Sequence, residues 1–195
     1  MSVTSCAGRG DICQLSVDAI VNAANEAGLG CFAPSHRCID NVIHRRAGPA
    51  LRNACREAMA KRPASLAQLS AGTVPLVTPG FALPSRFVLH VTGPAISPRG
   101  RDPTEEEERS LESCYTVCLD AARDHGLRSI AFCCISTGLF GYPPKQAANV
   151  AHRAVCNWIT TNADVVDFVV FDTFLEADFA LYTELVARSG MRCPS

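Results

Sequence analysis

Hydrophobic and polar residues alternate along this chain in blocks that predict strands and helices in turn. Short apolar runs predict buried strands at residues 19–24, 86–92, 129–135 and 165–172. Residues 72–78 predict a further strand, which Pro75 places at a sheet edge because proline cannot donate a hydrogen bond to the ladder. These runs are separated by segments whose apolar residues recur at helical spacing.

Four segments have this helical spacing. Residues 40–61 are one of them, and Pro49 inside the pattern predicts a kink or a break. Thr104, followed by four glutamates, predicts a helix start, and Gly126 predicts the end of that helix. Pro143 and Pro144 open the third helix, and an apolar face around residues 179–186 marks the last. Strands interleaved with helices predict a three-layer α/β domain.

The chain has no internal repeat and no linker that would separate two domains. We therefore predict one domain over residues 1–195, with its core at about residues 10–188. A domain of this size without sustained heptads is expected to be a monomer.

Composition and charge narrow the possible functions. The chain is 48% hydrophobic, with 18 basic and 19 acidic residues and a net charge of -1, so we expect no broad nucleic-acid or membrane surface. No apolar run approaches a membrane helix, and the N-terminus lacks a signal-peptide core. Eleven cysteines without such a signal indicate free thiols rather than a disulfide framework. We expect a reduced, cytoplasmic protein.

One loop gathers side chains that bind transition metals. Cys31, His36 and Cys38 fall within eight positions, where Gly30 and Pro34 exclude a regular helix. Thiolate and imidazole are the usual zinc ligands, and three protein ligands leave a fourth position for water or substrate. The alternative is chance, since a chain with eleven cysteines often places two close together.

A second loop, at residues 136–143, has the composition of a phosphate cradle. Ser136, Thr137, Gly138 and Gly141 allow backbone amides to approach a ligand, and the next helix contributes its positive end. A plain strand-to-helix turn explains the same glycines. The loop matches neither a Walker motif nor the glycine order of dinucleotide-binding folds.

Five polar residues near these loops have competing interpretations. Asp40 is either the acid of a site or the N-cap of a helix. Asn22 and Asn25 belong either to a site or to turns. His44 could supply a fourth metal ligand, although its spacing from Asp40 suits a helix face better. His90 lies in an apolar strand and is interpreted as a core residue.

Taken together, the motifs resemble those of the macrodomain family, which binds ADP-ribose. The resemblance runs in order from about Gly10 to Tyr182 and covers nearly the whole chain. The matching segments are GDI at 10–12, AIVNAAN at 19–25, IDNVIH at 39–44, AGP at 47–49, AGT at 71–73, HVTGP at 90–94, STGLFGYP at 136–143 and VVFDTF at 169–174.

This resemblance implies a central mixed sheet between helices, with ADP-ribose in a cleft at the strand ends. Asp11 would accept a hydrogen bond from the adenine amino group beside Ile12, and Phe174 would lie against the adenine ring. Asn25 and Asp40 would be catalytic, with Asn25 holding hydroxyls of the distal ribose. The other implied contacts to ADP-ribose are Cys31 and Ile39, the pyrophosphate loop of Ser136, Thr137, Gly138, Leu139, Phe140 and Gly141, and Tyr142 beside the distal ribose.

One departure from the family pattern indicates a branch. MacroD-type members carry a run of glycines before the aspartate, and here residues 30–38 read GCFAPSHRC instead. This segment is similar to the zinc-containing macrodomains found in microbes beside sirtuin-type ADP-ribosyltransferases, with Cys31, His36 and Cys38 matching their zinc ligands. The resemblance implies a Zn²⁺-dependent hydrolase that removes mono-ADP-ribose from modified Asp or Glu side chains of proteins, with a sirtuin-type transferase as a partner.

Other functions remain open at this point. The domain could be a reader that binds ADP-ribose without turnover, or it could deacetylate O-acetyl-ADP-ribose. The zinc could also be structural, clamping the loop while Asp40 acts alone. The presence of Asn25, Asp40 and three metal ligands favours the enzyme, because a reader needs no metal.

Overall fold

The computed structural model describes residues 3–189, which form a six-stranded sheet and five α-helices. The strands are β1 (Thr4–Arg9), β2 (Ala19–Ala23), β3 (Leu76–Pro79), β4 (Phe87–Val91), β5 (Ser129–Phe132) and β6 (Phe168–Thr173). The helices are α1 (Ile39–Ala47), α2 (Pro49–Ala60), α3 (Glu105–Asp124), α4 (Pro144–Thr161) and α5 (Glu176–Ser189). Residues 1–2 and 190–195 of the predicted domain lie outside the described residues.

The sheet has the strand order β1-β6-β5-β2-β4-β3. All neighbouring pairs are parallel except β3 and β4, which are antiparallel, so the sheet is mixed as the resemblance implied. The strand predicted at residues 72–78 is β3, which begins only at Leu76. It occupies the edge of the sheet, as Pro75 indicated. Parallel strands place the carboxyl ends of β2, β4, β5 and β6 on one side of the domain.

Helices cover both faces of this sheet. In β2 the consecutive residues Ile20, Val21 and Asn22 are all 0% exposed. Successive side chains of a strand point to opposite faces, so burial of all three requires a layer on each side. Helices α1 and α2 pack together, while α3 packs on α4 and α4 on α5. The predicted three-layer α/β architecture is confirmed.

The helix boundaries follow local sequence signals. The break expected near Pro49 occurs at Gly48, whose φ of 84° ends α1 before Pro49 opens α2. Helix α3 begins with a capping box in which Thr104 and Glu107 each accept a hydrogen bond from the other's backbone N–H. Tyr115 and Cys118 on its predicted inner face are fully buried. Both helix predictions are confirmed.

Two strand predictions were incomplete. Strand β1 was not predicted, because its residues are small or polar and give no apolar alternation; the sheet includes it by parallel pairing with β6. The strand predicted at residues 129–135 ends at Phe132. Cys133 and Ile135 are still buried, but they no longer pair with a neighbouring strand and they lead into the loop at residues 136–143.

The described residues contain ten cysteines, and none of them is bonded to another of the ten. Cys114 and Cys118 are fully buried in α3 and serve as small core residues. Among residues 3–189, no helix combines the length and the apolar character that a membrane crossing requires.

Candidate active site

Five loops leave the carboxyl ends of parallel strands at one side of the sheet. They follow β1 (residues 10–18), β2 (24–38), β4 (92–104), β5 (133–143) and β6 (174–175). Ligands of open α/β sheets bind at this side. The two loops selected from the sequence, after β2 and after β5, are both among the five.

Asp40 lies in the first turn of α1 and is 3% exposed. Asn22 donates from Nδ2 to Asp40 Oδ1 at 2.7 Å, and Nδ2 of Asn25 is 3.5 Å from Oδ2. The N-cap interpretation of Asp40 is wrong, because the N-cap is Cys38. The turn interpretation of Asn22 is also wrong, since Asn22 lies inside β2. Asn25 fits both of its interpretations. It lies beside Asp40, and its Oδ1 also accepts from the Ala27 backbone N–H at 3.1 Å, as in a turn.

Burial sets the protonation of the groups around this carboxylate. It raises the pKa of Asp40, while the Asn22 hydrogen bond, the positive charge of Arg52 and the Cys31 backbone N–H act to lower it. Burial, together with the Arg52 charge, lowers the pKa of His44 to about 4. His44 Nε2 lies 3.5 Å from Asp40 Oδ1, but a neutral ring at pH 7 makes this contact no ion pair.

The loop before Asp40 is anchored to both following helices. Arg52 of α2 donates to Leu29 O at 2.6 Å and to Cys31 O at 3.3 Å, and its guanidinium lies 4.2 Å from the centre of the Phe32 ring. Asn41 of α1 donates to Ala33 O and to His36 O, both at 2.8 Å. These contacts tie the loop that contains Cys31, His36 and Cys38 to α1 and α2.

The structure brings Cys31 close to both of the other predicted metal ligands. Cys31 Sγ is 3.6 Å from His36 Nδ1 and within hydrogen-bonding range of Cys38. A sulfur and an imidazole nitrogen on one tetrahedral zinc ion lie about 3.5 Å apart, so the Cys31–His36 pair fits Zn²⁺. The ligand atoms of all three residues do not lie within 4.8 Å of one another, so the loop would have to close further to hold one ion with the full set. Burial, followed by the neighbouring Cys31 thiol, raises the pKa of Cys38, while the Asn41 backbone N–H acts to lower it.

A deeper group of potential ligands lies behind Asp40. Donor atoms of His44, Cys55 and His90 are within 4.8 Å of one another, and all three residues are buried. Both ring nitrogens of His90 already have hydrogen-bonding partners, Asn22 at 3.0 Å and Thr78 at 2.9 Å. His90 therefore acts as part of a hydrogen-bond network, which agrees with its interpretation as a satisfied core histidine.

The loop at residues 136–142 has a compact backbone. Tyr142 N donates to Ser136 O at 3.0 Å, Gly141 N donates to Gly138 O at 3.1 Å, and Ser136 has a positive φ of 67°. Gly138 and Leu139 are exposed, Thr137, Phe140 and Gly141 are half-buried, and Ser136 is buried. Tyr142 is only 1% exposed, and its position beside the distal ribose stays a prediction.

The residues expected to recognise adenine lie at the carboxyl ends of β1 and β6. Gly10 N donates to Thr173 O at 3.0 Å, which places Asp11 and Phe174 on either side of this backbone pair. Phe174 is 81% exposed and lines an open cleft of about 570 Å³ with Arg9, whereas Ile12 is buried below it. Burial acts to raise the pKa of Asp11, but hydrogen bonds led by the Cys13 backbone N–H lower it overall.

A second cleft of about 420 Å³ opens beside Asn25 and is bordered by Phe140 and Pro94. Asn25, whose Nδ2 is 3.5 Å from Asp40 Oδ2, lines this cleft. Ile39, another predicted contact, is half-buried at the start of α1.

Sequence reasoning missed how three residues shape the site. Asn22 was interpreted as a site or a turn residue, but its bond to Asp40 was not predicted, although an amide inside an otherwise apolar strand was a usable signal. Arg52 gave no signal, because an arginine on a helix is ordinarily solvated. Arg99 was also missed. It donates to Gly138 O at 3.0 Å and to Leu139 O, and so ties the loop after β4 to the loop at residues 136–143.

Comparisons with known proteins agree with this architecture. The family model described as Macro domain matches residues 21–151. A "Protein-ADP-ribose hydrolase" of Treponema medium is 44% identical over 179 residues, which is 92% of this chain and 66% of that protein. A "Probable bifunctional ADP-ribose hydrolase/ADP-ribosyltransferase" of Fusarium oxysporum f. sp. cubense is 45% identical over 188 residues, 93% of this chain and 31% of that protein. The chain thus spans about one third to two thirds of these curated relatives.

Solved structures match over a larger share of both chains. The Oceanobacillus iheyensis macrodomain with ADP superimposes with a TM-score of 0.83 at 34% identity, covering 96% of this chain and 92% of that one. The Trypanosoma brucei macrodomain in complex with ADP-ribose gives a TM-score of 0.77 at 34% identity, covering 94% and 67%. The sheet order, the loop cluster and the family match lead to one conclusion: the chain belongs to the Macro domain family.

Proposed function

We propose that this domain hydrolyses the ester that joins mono-ADP-ribose to Asp or Glu side chains of modified proteins. The observation that carries the proposal is the position of Asn25, which lines the cleft bordered by Phe140 and whose Nδ2 lies 3.5 Å from Asp40 Oδ2. A carboxylate next to a sugar-binding amide is what hydrolysis at the distal ribose requires.

Asp40 is suited to act as a general base. Asn22 and Asn25 hold its two oxygens, and burial raises its pKa so that it accepts a proton from water more readily than an exposed carboxylate. Water attacks the anomeric carbon of the ribose and gives a proton to Asp40, while the bond from that carbon to the ester oxygen breaks. The ribose regains its anomeric hydroxyl, the protein side chain leaves as a carboxylate, and Asp40 passes its proton to solvent. Asn25 orients the ribose hydroxyls for this step.

The protonation state of the histidine beside Asp40 supports the proposed linkage to an acidic side chain. A carboxylate is a stable leaving group and needs no protonation, whereas departure of an alkoxide or a guanidine does. His44, the histidine in contact with Asp40, has a pKa lowered to about 4 and is unprotonated at pH 7. This arrangement supports ester cleavage over cleavage of serine- or arginine-linked ADP-ribose.

Cys31, His36 and Cys38 would hold Zn²⁺ in the loop that precedes Asp40. When bound, zinc with an open position supplies a Lewis acid for a ribose hydroxyl or a water. The loop residues themselves keep bulk water away from Asp40, since Cys31 N–H contacts the Asp40 carboxylate directly.

The names of relatives support the same activity. The Treponema medium protein is named a protein-ADP-ribose hydrolase, and the Fusarium oxysporum f. sp. cubense protein combines a hydrolase with an ADP-ribosyltransferase in its name. We infer that a protein-modifying transferase, of the sirtuin type implied by the resemblance, produces the substrate for this domain.

The test measures ADP-ribose release from one protein carrying a modified glutamate and from one carrying a modified serine, after metal has been counted per chain. Release from glutamate alone, stopped by a chelator and restored by Zn²⁺, is expected. Zinc-independent release would make the metal a loop clamp. Tight ADP-ribose binding without release would instead identify a reader.

A variant separates catalysis from binding. Asp40→Ala should lower the release rate by about 10²- to 10⁴-fold, as removal of a positioned general base does. ADP-ribose affinity should change less than threefold. Asp124→Ala, which removes an exposed carboxylate at the end of α3, is the matched control and should retain full activity. Equal activity of the two variants would exclude Asp40 as the base.

A further inference from the structure

Behind Asp40, a chain of hydrogen bonds passes through the core to the far strand of the sheet. Asn22 and His90 are register partners in β2 and β4, and Asn22 Nδ2 is 3.0 Å from His90 Nδ1. His90 Nε2 is 2.9 Å from Thr78 Oγ1 in β3, and Thr78 Oγ1 is 3.5 Å from Val88 O. Asn22, His90 and Thr78 are each at most 2% exposed.

The direction of each bond in this chain can be deduced. A carboxylate only accepts, so the Asn22 amide nitrogen must face Asp40 at 2.7 Å and uses one of its two hydrogens there. Its second hydrogen points at His90 Nδ1, which must therefore be the unprotonated ring nitrogen. The ring hydrogen is then on Nε2 and is donated to Thr78, whose hydroxyl donates onward to the Val88 carbonyl oxygen.

We propose that His90 is a positioning residue for hydrolysis: held by Thr78 in the neutral tautomer protonated at Nε2, it accepts from Asn22 and so fixes the amide that orients Asp40. The inference rests on the proposed function, since it assigns Asp40 as the base. His90 does not reach the cleft. It acts through Asn22. Without His90 Nδ1 as an acceptor, the Asn22 amide is held only by its bond to Asp40 and can rotate about that bond.

The surroundings of the ring keep it in this single state. Burial, followed by the neighbouring His44, lowers the pKa of His90 to about 3, so the ring stays neutral. The groups that face it are the His44 ring, with a centroid distance of 5.9 Å, and Cys55 Sγ, 3.7 Å from Nε2. Burial raises the pKa of Cys55 to about 11, so this thiol is uncharged as well.

The first test observes the tautomer directly and needs no turnover. Nitrogen-15 NMR of the intact protein, with ring resonances assigned by comparison with a His90→Asn variant, distinguishes a protonated from an unprotonated ring nitrogen. A hydrogen on Nε2 and none on Nδ1 at pH 7 is expected. A hydrogen on Nδ1 would overturn the inference, because His90 could then not accept from Asn22.

The second test uses a matched pair of variants. In His90→Asn the amide oxygen occupies the position of Nδ1 and still accepts from Asn22, whereas the longer side chain of His90→Gln places its polar atoms near Nε2, toward Thr78. His90→Gln should lower kcat by about ten- to a hundred-fold, the order expected when a catalytic group is misplaced. KM and ADP-ribose affinity should stay within threefold, and His90→Asn should recover most of kcat.

The outcomes separate positioning from packing. Equal loss of kcat in both variants, or no loss in either, would overturn the inference, and thermal unfolding of each variant checks that it is folded. If the wild type binds ADP-ribose but releases none from modified protein, the proposed function has failed. The tautomer then decides the positioning inference by itself.

Discussion

At the scale of single residues, the site depends on polar groups placed where the core would otherwise be apolar. Asn22 is 0% exposed in β2, and although its amide nitrogen is satisfied twice, its Oδ1 has no partner. Leaving a buried acceptor unpaired costs about 1–3 kcal/mol. The domain tolerates this cost because the same side chain orients Asp40, so stability and function compete at this position.

Gly30 illustrates how close the chain passes to the site. Its φ is +82°, and a Cβ atom there would lie 2.7 Å from His44 Nε2. Gly30→Ala should cost about 1–2 kcal/mol for the left-handed backbone and about 1–3 kcal/mol more for the overlap. Gly126→Ala, at φ +63° with open space around it, carries the first cost alone. Urea unfolding of the two variants measures the difference, and equal losses would refute the proposed overlap.

Asp172, in β6, gives a pH-dependent prediction. Burial and then the negative charge of Asp11 raise the pKa of Asp172 to about 6. The folded state therefore binds this proton more tightly than the unfolded state, and stability falls as pH rises from about 4 to 6. Above pH 6 the buried charge carries its full cost.

Asp172→Asn should remove that cost. At pH 7.5 the variant should be more stable than the wild type by about 1–2 kcal/mol, after allowing for solvent screening, and the gain should shrink toward zero at pH 4. Urea unfolding at the two pH values measures it, with Asp124→Asn as an exposed control. A gain that is independent of pH would show that the carboxylate charge is not its cause.

At the scale of elements, helices α1 and α2 act as anchors for the loop over the site. The loop has no regular structure between β2 and α1, and it is held by side chains such as Arg52 and Asn41. The break at Gly48 separates the two helices. Asn41 of α1 and Arg52 of α2 then bind the loop at different residues. The order of this loop is therefore a property of α1 and α2 as much as of its own sequence.

Arg52→Lys should loosen this loop selectively. A planar guanidinium reaches Leu29 O and Cys31 O together and stacks on Phe32, whereas one ammonium cannot span both carbonyls. Trypsin should cleave after the exposed Arg37 several-fold faster, while global stability falls by about 1 kcal/mol or less. Arg56→Lys, on the exposed face of α2, is the control. Unchanged cleavage in Arg52→Lys would exclude the anchoring role.

At the scale of the whole molecule, the strand order sets the gradient of stability. Strands β5 and β2 are central, each paired on both sides, whereas β3 pairs only with β4 at one edge. Backbone amides of Ile20 and Val21 are buried beneath helices on both faces. The centre of the sheet should therefore open only when the whole domain unfolds.

Amide hydrogen exchange tests this gradient. Amides of β2 and β5 should exchange at the rate set by global unfolding, and those of β3 at least about tenfold faster through local opening of the edge. Mass spectrometry of peptides covering these strands measures both rates. Uniform exchange across the sheet would show that the edge strand is as firmly held as the centre.

Much of this molecule follows from local sequence patterns. Apolar spacing and Pro49 located α1, α2 and the break between them, and the capping residues Thr104 and Glu107 marked the start of α3. The two loops around the site were recognised by their glycines, cysteines and the histidine, because a turn or a ligand set is encoded within a few residues. Burial faces, caps and loop chemistry depend on neighbours in the chain, which is why the sequence by itself determined them.

The tertiary structure decided what depends on distant partners. Strand β1 exists because β6 offers an edge to pair with, and its own residues carry no signal of this. Asn22 and His90 are 68 residues apart and meet because β2 and β4 are neighbours in register. Asp40 receives its orientation from Asn22 and its raised pKa from burial, which outweighs the lowering effect of the Asn22 hydrogen bond. Hydrogen bonds and desolvation between distant segments depend on the order of strands in the sheet, which local patterns do not encode.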